Sequence, residues 1–340
     1  MKALKYIFFL FLIVIIAIAI YIAVQPNDYS VTRTRTIKAP AAVIYENVND
    51  YKNWASWSSW SEKDPNIKIT LPEHTSGLEG SFSWEDADGV STIKTIEVNP
   101  NKTIEQEIQI NDYPKSNVTW KFNPNADGST DVTRTISGED LPFGFKLSTL
   151  LNGSMEEQIG PEYEHSLEKL DSVVQVDMRK YSIIVDKTPT QHSGGFYVYN
   201  STATTFENFP SKMEKMLPDV MNYAQKNNIT IAGAPFVLYH QWDEANNAVM
   251  FSCCIPTASR VITTGSDILT GQIEPFKALK VTLTGDYANL KEAWEMGMEA
   301  IKESSLEQDE DGPMIEAYLN TPMETPNPAN LKTEIYIAVK

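Results

Sequence analysis

The longest apolar stretch lies near the N-terminus, where residues 6–24 carry no charge and follow Lys2 and Lys5. As a helix, this stretch would extend about 28 Å, close to the hydrocarbon thickness of a bilayer. The pattern predicts a single-pass anchor over residues 1–25 in the cytoplasmic membrane. Because basic residues stay on the cytoplasmic side, the N-terminus is expected inside and everything after Gln25 outside. The alternative is a cleaved signal peptide, although its apolar segment would normally be shorter and no small-residue cleavage site follows.

After the anchor, residues 30–175 combine strand patterns with two helical patterns. Residues 30–37 alternate as a strand does, and Pro40 suits the first turn of a short helix. Further alternating segments separated by turn signals predict an antiparallel sheet, and residues 148–173 repeat apolar side chains at helical spacing. Three tryptophans in a short stretch predict an aromatic cluster packed on the core as a lid, with direct stacking on a ligand as the alternative: Trp54, Trp57 and Trp60.

From residue 180 to residue 340, the order strand, helix, strand, strand occurs twice. The second copy begins at Phe276, and its helix carries one apolar stripe, formed by Leu290, Ala293, Trp294, Gly297, Met298 and Ile301. Repetition of an element order indicates a duplicated unit. The fold class is therefore predicted as α+β, with an N-terminal transmembrane helix and two soluble domains over residues 30–175 and 180–340.

Two short strands in the last 65 residues each carry a glutamate followed two positions later by a tyrosine. Glu316 precedes Tyr318, and Glu334 precedes Tyr336. Because alternate strand residues share a face, each glutamate shares a face with its tyrosine. If the two strands pair, the pattern predicts one apolar face and one face that carries both carboxylates between two tyrosines. The alternative for both glutamates is a solvated sheet face.

Charge and residue usage exclude several classes of function. The formal net charge of −17 disfavours phosphate-binding surfaces, so no nucleic acid partner is predicted. The four histidines lie far apart along the chain, so no metal is predicted, and no cofactor is predicted either. The two cysteines, Cys253 and Cys254, are adjacent and are expected to fill a strand rather than to form a disulfide.

The first domain resembles the START-like helix-grip family, also called SRPBCC or polyketide cyclase-like. The resemblance rests on the element order and on Ile37-Lys38-Ala39-Pro40, Asn49-Asp50-Tyr51, Trp54 and Trp57. It implies a curved antiparallel sheet that wraps a long C-terminal helix and leaves a hydrophobic cavity. No catalytic pair of residues is evident in this domain.

The second domain resembles the GyrI-like family, which includes effector-binding domains of AraC-type transcription regulators. Four spaced motifs carry the resemblance: Gly233-x-Pro235-Phe236 with Tyr239-His240, Gly285-Asp286-Tyr287, Glu316-x-Tyr318-Leu319-Asn320-x-Pro322, and Thr333-Glu334-Ile335-Tyr336-Ile337. The resemblance implies a concave groove for small lipophilic or cationic molecules, with a glutamate opposite the ligand's positive charge. Glu334 is the first candidate for that glutamate, and Glu316 is the second.

The predicted function is a membrane-anchored binding protein for a small hydrophobic or cationic molecule, serving sensing, sequestration or resistance. A carboxylate in a partly dry groove favours a cation, and aromatic faces add to the attraction. Candidate walls beside Tyr318 and Tyr336 are Tyr287, Phe236 and Trp242, with Trp294 weakest because its helical stripe already explains it as core. The alternatives are a GyrI-like hydrolase with Glu334 or Glu316 as general base, and a structural module for an unknown protein partner.

Overall fold

The computed structural model describes residues 2–59, 67–86, 89–263, 267–304 and 306–340. The chain divides into two compact units, Met1–Asp177 and Met178–Lys340. Trp60, the third residue of the predicted tryptophan cluster, lies outside the described residues.

The N-terminal helix α1 spans Lys2–Ala23. Within it, Leu4–Ala23 has a mean hydropathy of 3.0 and is long and apolar enough to cross a membrane, a property that signal sequences share. Most of its side chains are exposed. The helix ends against Lys146, whose Nζ donates hydrogen bonds to the backbone oxygen of Gln25 at 2.8 Å and to Asn27 Oδ1 at 2.5 Å. A cation at this position satisfies carbonyl oxygens that a helix end leaves free.

The first unit contains an antiparallel sheet and three further helices in its described part. The strands are β1 (Tyr29–Ile37), β2 (Lys68–Thr70), β3 (Ser81–Asp86), β4 (Gly89–Asn99), β5 (Thr103–Gln109), β6 (Ser116–Pro124) and β7 (Thr130–Gly138). Their order in the sheet is β1-β7-β6-β5-β4-β3-β2. The helices are α2 (Ala41–Asn49), α3 (Phe143–Asn152) and α4 (Met155–Met178).

The predicted C-terminal helix of the first domain is divided into α3 and α4. Gly153 ends α3 with a φ of +97°, a backbone angle that residues other than glycine rarely adopt. The helix α4 is the long one, and it packs on the sheet through Tyr163, Leu167 and Leu170, which are buried. Antiparallel strands around a long helix match the predicted helix-grip architecture.

The tryptophans of the first unit form part of its core. Trp54 and Trp57 are 2% and 0% exposed, and their ring centroids lie 4.8 Å apart. Trp57 also makes an edge contact with Trp120 on β6 at 5.8 Å. The prediction that the aromatic cluster packs on the core is confirmed for Trp54 and Trp57.

The second unit is built from two strand-helix-strand-strand copies. The strands before and in the first copy are β8 (Ser182–Val185), β9 (Thr190–His192), β10 (Gly195–Thr204), β11 (Phe236–Asp243) and β12 (Ala248–Thr257), with helix α5 (Phe209–Lys226). After β13 (Leu269–Ile273), the second copy comprises β14 (Phe276–Thr284), α6 (Leu290–Glu303), β15 (Met314–Tyr318) and β16 (Lys332–Ala338). The duplicated βαββ arrangement is therefore confirmed.

The sheet order displays the duplication as a pseudo-twofold arrangement. The strands run β13-β10-β12-β11-β15-β16-β14-β8, and β9 also pairs with β14. The second strands of the two copies, β11 and β15, are neighbours at the centre, while the first strands, β10 and β14, lie further out. Helices α5 and α6 cover one face, each over the strands of its own copy. The other face carries a separate apolar cluster that includes Phe236, Ile315 and Tyr336.

Candidate functional site

The two predicted carboxylates lie on opposite faces of the second sheet. In the antiparallel pairing of β15 with β16, Glu316 is opposite Ile335, and Ala317 is opposite Glu334. Directly opposed residues project to the same face, so Glu316 lies on the helix-covered face and Glu334 on the other. The prediction that both carboxylates share one face with two tyrosines is therefore wrong. Each tyrosine does share a face with its own glutamate. The pairing sets each glutamate opposite an apolar residue, so the Glu-Tyr pair of β15 and that of β16 lie on opposite faces.

Glu316 is a buried carboxylate that accepts hydrogen bonds from aromatic side chains. It is 2% exposed. Its Oε2 accepts from the indole Nε1 of Trp294 at 2.8 Å and from the hydroxyl of Tyr239 at 3.2 Å. Its Oε1 accepts from the hydroxyl of Tyr318. Both oxygens are therefore engaged by donors from three separate elements, α6, β11 and β15.

The sequence places these donors through strand alternation and helical spacing. Tyr239 is opposite Met314 in the pairing of β11 with β15, and Val237 is opposite Glu316, so all these side chains share the helix-covered face. Trp294 lies on the buried stripe of α6 and turns its N–H towards the sheet. A buried polar group normally finds partners, and here each donor is an aromatic side chain whose ring packs in the apolar core.

Burial raises the pKa of Glu316, and the hydrogen bonds from Trp294, Tyr318 and Tyr239 oppose this rise. Loss of hydration disfavours the charged carboxylate, whereas donors stabilise it. Burial, together with the neighbouring Glu316 carboxylate, also raises the pKa of Tyr318 and of Tyr239 well above the ordinary value, so both hydroxyls keep their protons. The Glu316 carboxylate therefore accepts hydrogen bonds from neutral donors only among the described residues.

Half-buried aromatic side chains separate Glu316 from the surface. Tyr239, Tyr287 and Trp294 are each partly exposed. The Tyr287 ring makes an edge contact with Tyr318 at 5.4 Å, and burial raises the pKa of Tyr287 to about 12. The Trp294 ring contacts Tyr239 at 5.6 Å. The carboxylate therefore lies one aromatic layer below solvent.

Trp242 lies further out on the same side. It is 52% exposed, stacks on Phe206 at 4.5 Å and contacts the Tyr239 ring at 5.9 Å. Its position at the edge of the cluster leaves a large aromatic face in contact with water.

The opposite face carries Glu334, Tyr336 and Phe236. Glu334 Oε2 accepts a hydrogen bond from the Tyr336 hydroxyl at 2.5 Å, and its Oε1 lies 3.6 Å from Lys280 Nζ. The side chain of Glu334 remains 21% exposed. Phe236 is buried in the apolar cluster of this face, which Tyr336 borders. A lysine and water already compensate the charge of Glu334.

The structure thus divides the seven predicted ligand-binding residues into two groups. Glu316, Tyr318, Tyr287 and Trp242 lie on the helix-covered side, whereas Glu334, Tyr336 and Phe236 lie on the other. Tyr239 was not among the predicted ligand-binding residues, although it belongs to the Tyr239-His240 motif, and Trp294 was expected to be core. The pairing of β11 with β15, which the structure shows, sets Tyr239 on the face of Glu316.

Among the described residues, no group of three or more histidine, cysteine, aspartate and glutamate side chains is arranged to hold a metal ion. Cys253 and Cys254 are both buried and unpaired with each other, and burial raises the pKa of Cys253 to about 12. A thiol with so high a pKa remains protonated at neutral pH and is a poor nucleophile.

Comparison with known families assigns both halves of the chain. Residues 28–175 match the family described as polyketide cyclase/dehydrase and lipid transport, and residues 196–340 match the GyrI-like small molecule binding domain. A search of the curated proteins gives no match. Both resemblances drawn from the sequence motifs are confirmed.

Three solved structures that are similar to this chain each cover slightly less than half of it. The C-terminal domain of EcmrR has 16% identity and a TM-score of 0.40, over 47% of this chain and 98% of that one. Protein CV1439 from Chromobacterium violaceum has 19% identity and a TM-score of 0.34, over 44% and 99%. Protein MLL2253 from Mesorhizobium loti has 16% identity and a TM-score of 0.33, over 44% and 98%.

Proposed function

We propose that this chain is a membrane-anchored binding protein whose second domain binds a lipophilic cation at Glu316. The chain joins a domain of the polyketide cyclase and lipid transport type to a GyrI-like small-molecule-binding domain. The observation that supports this is a carboxylate 2% exposed among aromatic rings. Such a group has lost its hydration, so a ligand that brings a positive charge recovers part of that energy. Sensing, sequestration and resistance are all uses of such a site.

Glu316 is favoured over Glu334 as the charged centre because its charge has no cationic partner among the described residues. Its donors are neutral hydroxyl and indole groups, whereas Glu334 lies 3.6 Å from Lys280 Nζ. A ligand cation at Glu334 would compete with that lysine. The rings of Tyr239, Tyr287 and Trp294 would add cation–π attraction at Glu316, about 0.5–2 kcal/mol each. Entry would require these half-buried rings to turn aside, and Trp242 is the outermost aromatic face on that side.

The hydrolase alternative, with Glu334 or Glu316 as general base, has less support. A general base must take a proton from a water that it holds. At Glu316 that water would have to share the carboxylate with the donors Trp294, Tyr239 and Tyr318, and at Glu334 with Tyr336 and Lys280.

The test is a thermal-shift titration of a soluble form that begins at Pro26. Tetraphenylphosphonium and tetraphenylborate are matched ligands, since they share shape and apolar area and differ in the sign of the charge. We expect the cation to raise the melting temperature of the second domain and the anion not to do so. Glu316→Gln should abolish the cation's effect, and Glu334→Gln should leave it intact. The reverse pattern would place the site on the other face. Equal shifts with both ions would show that the ligand's charge does not determine binding.

The anchor is proposed from the exposed apolar surface and length of α1. With Lys2 and Lys5 inside, the soluble domains would lie outside the cytoplasm. Two measurements test this. The mature chain should keep the full mass of 38.2 kDa and resist extraction from membranes by carbonate. Protease added outside intact spheroplasts should digest the soluble domains. A mature protein shortened by the N-terminal segment would instead support the signal peptide.

A further inference from the structure

Helix α3 of the first domain carries an apolar stripe on its outer face. Phe143, Leu147, Leu150 and Leu151 recur at i, i+4, i+7 and i+8, so they share one side of the helix. Phe143, Leu150 and Leu151 are 48%, 46% and 73% exposed. Lys146 is the one charged residue of the helix, and it is buried. A contiguous exposed apolar surface of this kind indicates a contact with an apolar partner.

The opposite side of α3 packs on the first domain. The Phe145 ring stacks on Tyr29 of β1, with the ring centroids 5.9 Å apart, and it makes an edge contact with Tyr113 at 5.7 Å. Just before the helix, the backbone N–H of Leu141 donates a hydrogen bond to the backbone oxygen of Asn27 at 3.0 Å. These contacts fix the rotation of α3 about its own axis, and they leave the apolar stripe turned outward.

Helix α3 also contacts the end of α1. Lys146 Nζ donates hydrogen bonds to the backbone oxygens of Gln25 at 2.8 Å and of Ala23 at 3.4 Å. Ile22, in the last turn of α1, is 2% exposed, whereas its neighbour Tyr21 is 54% exposed. The contact therefore involves the last turn of α1. If α1 spans a bilayer, α3 lies at the level where the chain leaves it.

The connection between α1 and the first domain is short. Helix α1 ends at Ala23 and strand β1 begins at Tyr29, so residues 24–28 form the whole connection. An extended segment of this length reaches at most about 18 Å. The first domain is therefore held beside whatever surrounds α1, and the boundary of the same bilayer is the apolar surface nearest to the stripe.

The charged residues that flank α3 in the sequence are acidic. Glu139 and Asp140 precede the helix, Glu156 and Glu157 follow it, and all four are exposed. Such residues are repelled by anionic lipids and experience no net field at a zwitterionic surface. The attraction to a membrane must therefore come from the apolar side chains themselves, and a zwitterionic leaflet suits this surface best.

We propose that α3 is an interfacial helix, whose stripe of Phe143, Leu147, Leu150 and Leu151 inserts into the zwitterionic leaflet at which α1 ends. Docking of α3 depends on the membrane anchor proposed above. Interfacial helices lie in the membrane plane with their apolar side chains about 5–10 Å deep at the head-group boundary. The rings of Tyr21 and Tyr113 would lie at the head-group level, which tyrosine favours. A second attachment beside α1 would fix the orientation of the first domain on the membrane.

The experiment is electron paramagnetic resonance of a nitroxide label on the full chain in phosphatidylcholine nanodiscs. Oxygen concentrates among the acyl chains and nickel ethylenediaminediacetate stays in water, so the ratio of their collision rates with the label reports its surroundings. The label is attached at Leu151→Cys, and the matched control is Asn152→Cys, an exposed neighbour outside the stripe. Both native cysteines are buried and should not react with the labelling reagent. We expect the ratio at Leu151 to exceed that at Asn152 at least about tenfold, because burial of each large apolar side chain favours the docked state by about that factor or more.

A second variant excludes insertion driven by the label itself. In the chain labelled at Leu151, Phe143→Gln together with Leu150→Gln should lower the ratio to that of the Asn152 control. Both replaced side chains are about half exposed, so the urea midpoint should stay unchanged. Added salt should leave the ratio at Leu151 unchanged, since apolar burial is not screened by ions. A ratio that falls with salt, or that persists in the double variant, would contradict apolar docking.

A third label, at Ile13→Cys in the middle of α1, separates the docking of α3 from the anchor. Ile13 is 62% exposed, so a spanning helix would give its label a high ratio. A high ratio at Ile13 with a low ratio at Leu151 would overturn the docking of α3 and leave the anchor standing, whereas low ratios at both would overturn both. A Leu151 label shielded from oxygen and nickel alike would mean that protein covers the stripe, from a second copy or another segment, and would also overturn the docking.

Discussion

Replacing Tyr318 with phenylalanine should destabilise the second domain because it removes a donor from a buried carboxylate. The substitution keeps the ring that contacts Tyr287 and deletes only the hydroxyl that donates to Glu316. A hydrogen bond to a charged group contributes about 1.5–3 kcal/mol. Glu316 is 2% exposed, so water has no ready access to replace the lost donor. We therefore expect the free energy of unfolding to fall by about 1.5–3 kcal/mol at pH 7.

The same residue pair on the other face provides the control. Tyr336 donates to Glu334 at 2.5 Å with the same two-residue spacing, but the glutamate side chain is 21% exposed and also faces Lys280. Water and the lysine can take over the role of the lost hydroxyl. Tyr336→Phe should therefore reduce the free energy of unfolding by about 1 kcal/mol or less.

The assay must report the second domain alone, and the tryptophans allow this. Trp294 contacts the site itself, whereas five of the seven tryptophans precede residue 178. Incorporation of 5-fluorotryptophan and urea titration by ¹⁹F NMR would follow the Trp294 resonance, assigned by its loss in Trp294→Phe. The difference between wild type and Tyr318→Phe should shrink as the pH falls and Glu316 becomes protonated, because the donor then meets a neutral group. Equal losses for Tyr318→Phe and Tyr336→Phe, or a pH-independent loss, would refute the assignment of a buried charge.

Three further perturbations test other parts of the structure. Burial raises the pKa of Glu316 above its value in the unfolded chain, so protonation of this group favours folding. The stability of the second domain should be highest below the pKa of the unfolded chain and should fall as the pH rises through the pKa of the folded one. Urea titrations that follow the Trp294 resonance should show this step in the wild type and not in Glu316→Gln. Lys146→Met removes the cation from the end of α1. Hydrogen exchange of the last amides of that helix should accelerate about fivefold, from a capping contribution of about 1 kcal/mol. In Gly297→Val, the Cβ alone would lie 2.9 Å from two strand side chains, so the free energy of unfolding, measured by urea denaturation, should fall by about 1–3 kcal/mol. In the control Gly144→Ala, on an exposed helix, the added Cβ meets nothing within 4 Å, and the free energy of unfolding should rise by about 0.5–1 kcal/mol.

Periodicity alone predicted the elements of the second domain well. The stripe from Leu290 to Ile301 gave helix α6, and the two Glu-x-Tyr segments gave β15 and β16. These patterns are local, because a side chain's face follows from its own strand or helix. The duplicated order of elements likewise needed only a count of elements along the chain.

The relative register of β15 and β16 could not be obtained in this way. Alternation states that Glu316 shares a face with Tyr318, but it does not state which residue of β16 lies opposite. That choice depends on the connection from residue 319 to residue 331 and on the strands β11 and β14 that flank the pair. Both strands have apolar and polar alternation with similar side chains, so a shift of one residue leaves each strand's own pattern unchanged.

The direction in which a side chain points within the core could also not be predicted from the sequence. The stripe of α6 explains Trp294 as a packing residue, and it does pack, but its indole N–H reaches Glu316 at 2.8 Å. Arg134 lies in a β-strand in which every second residue is buried, so its burial follows from alternation with Val132 and Ile136. The burial of this arginine can therefore be expected from the sequence, whereas the aromatic rings that cover it come from β6 and α4 and could not be inferred from β7 alone.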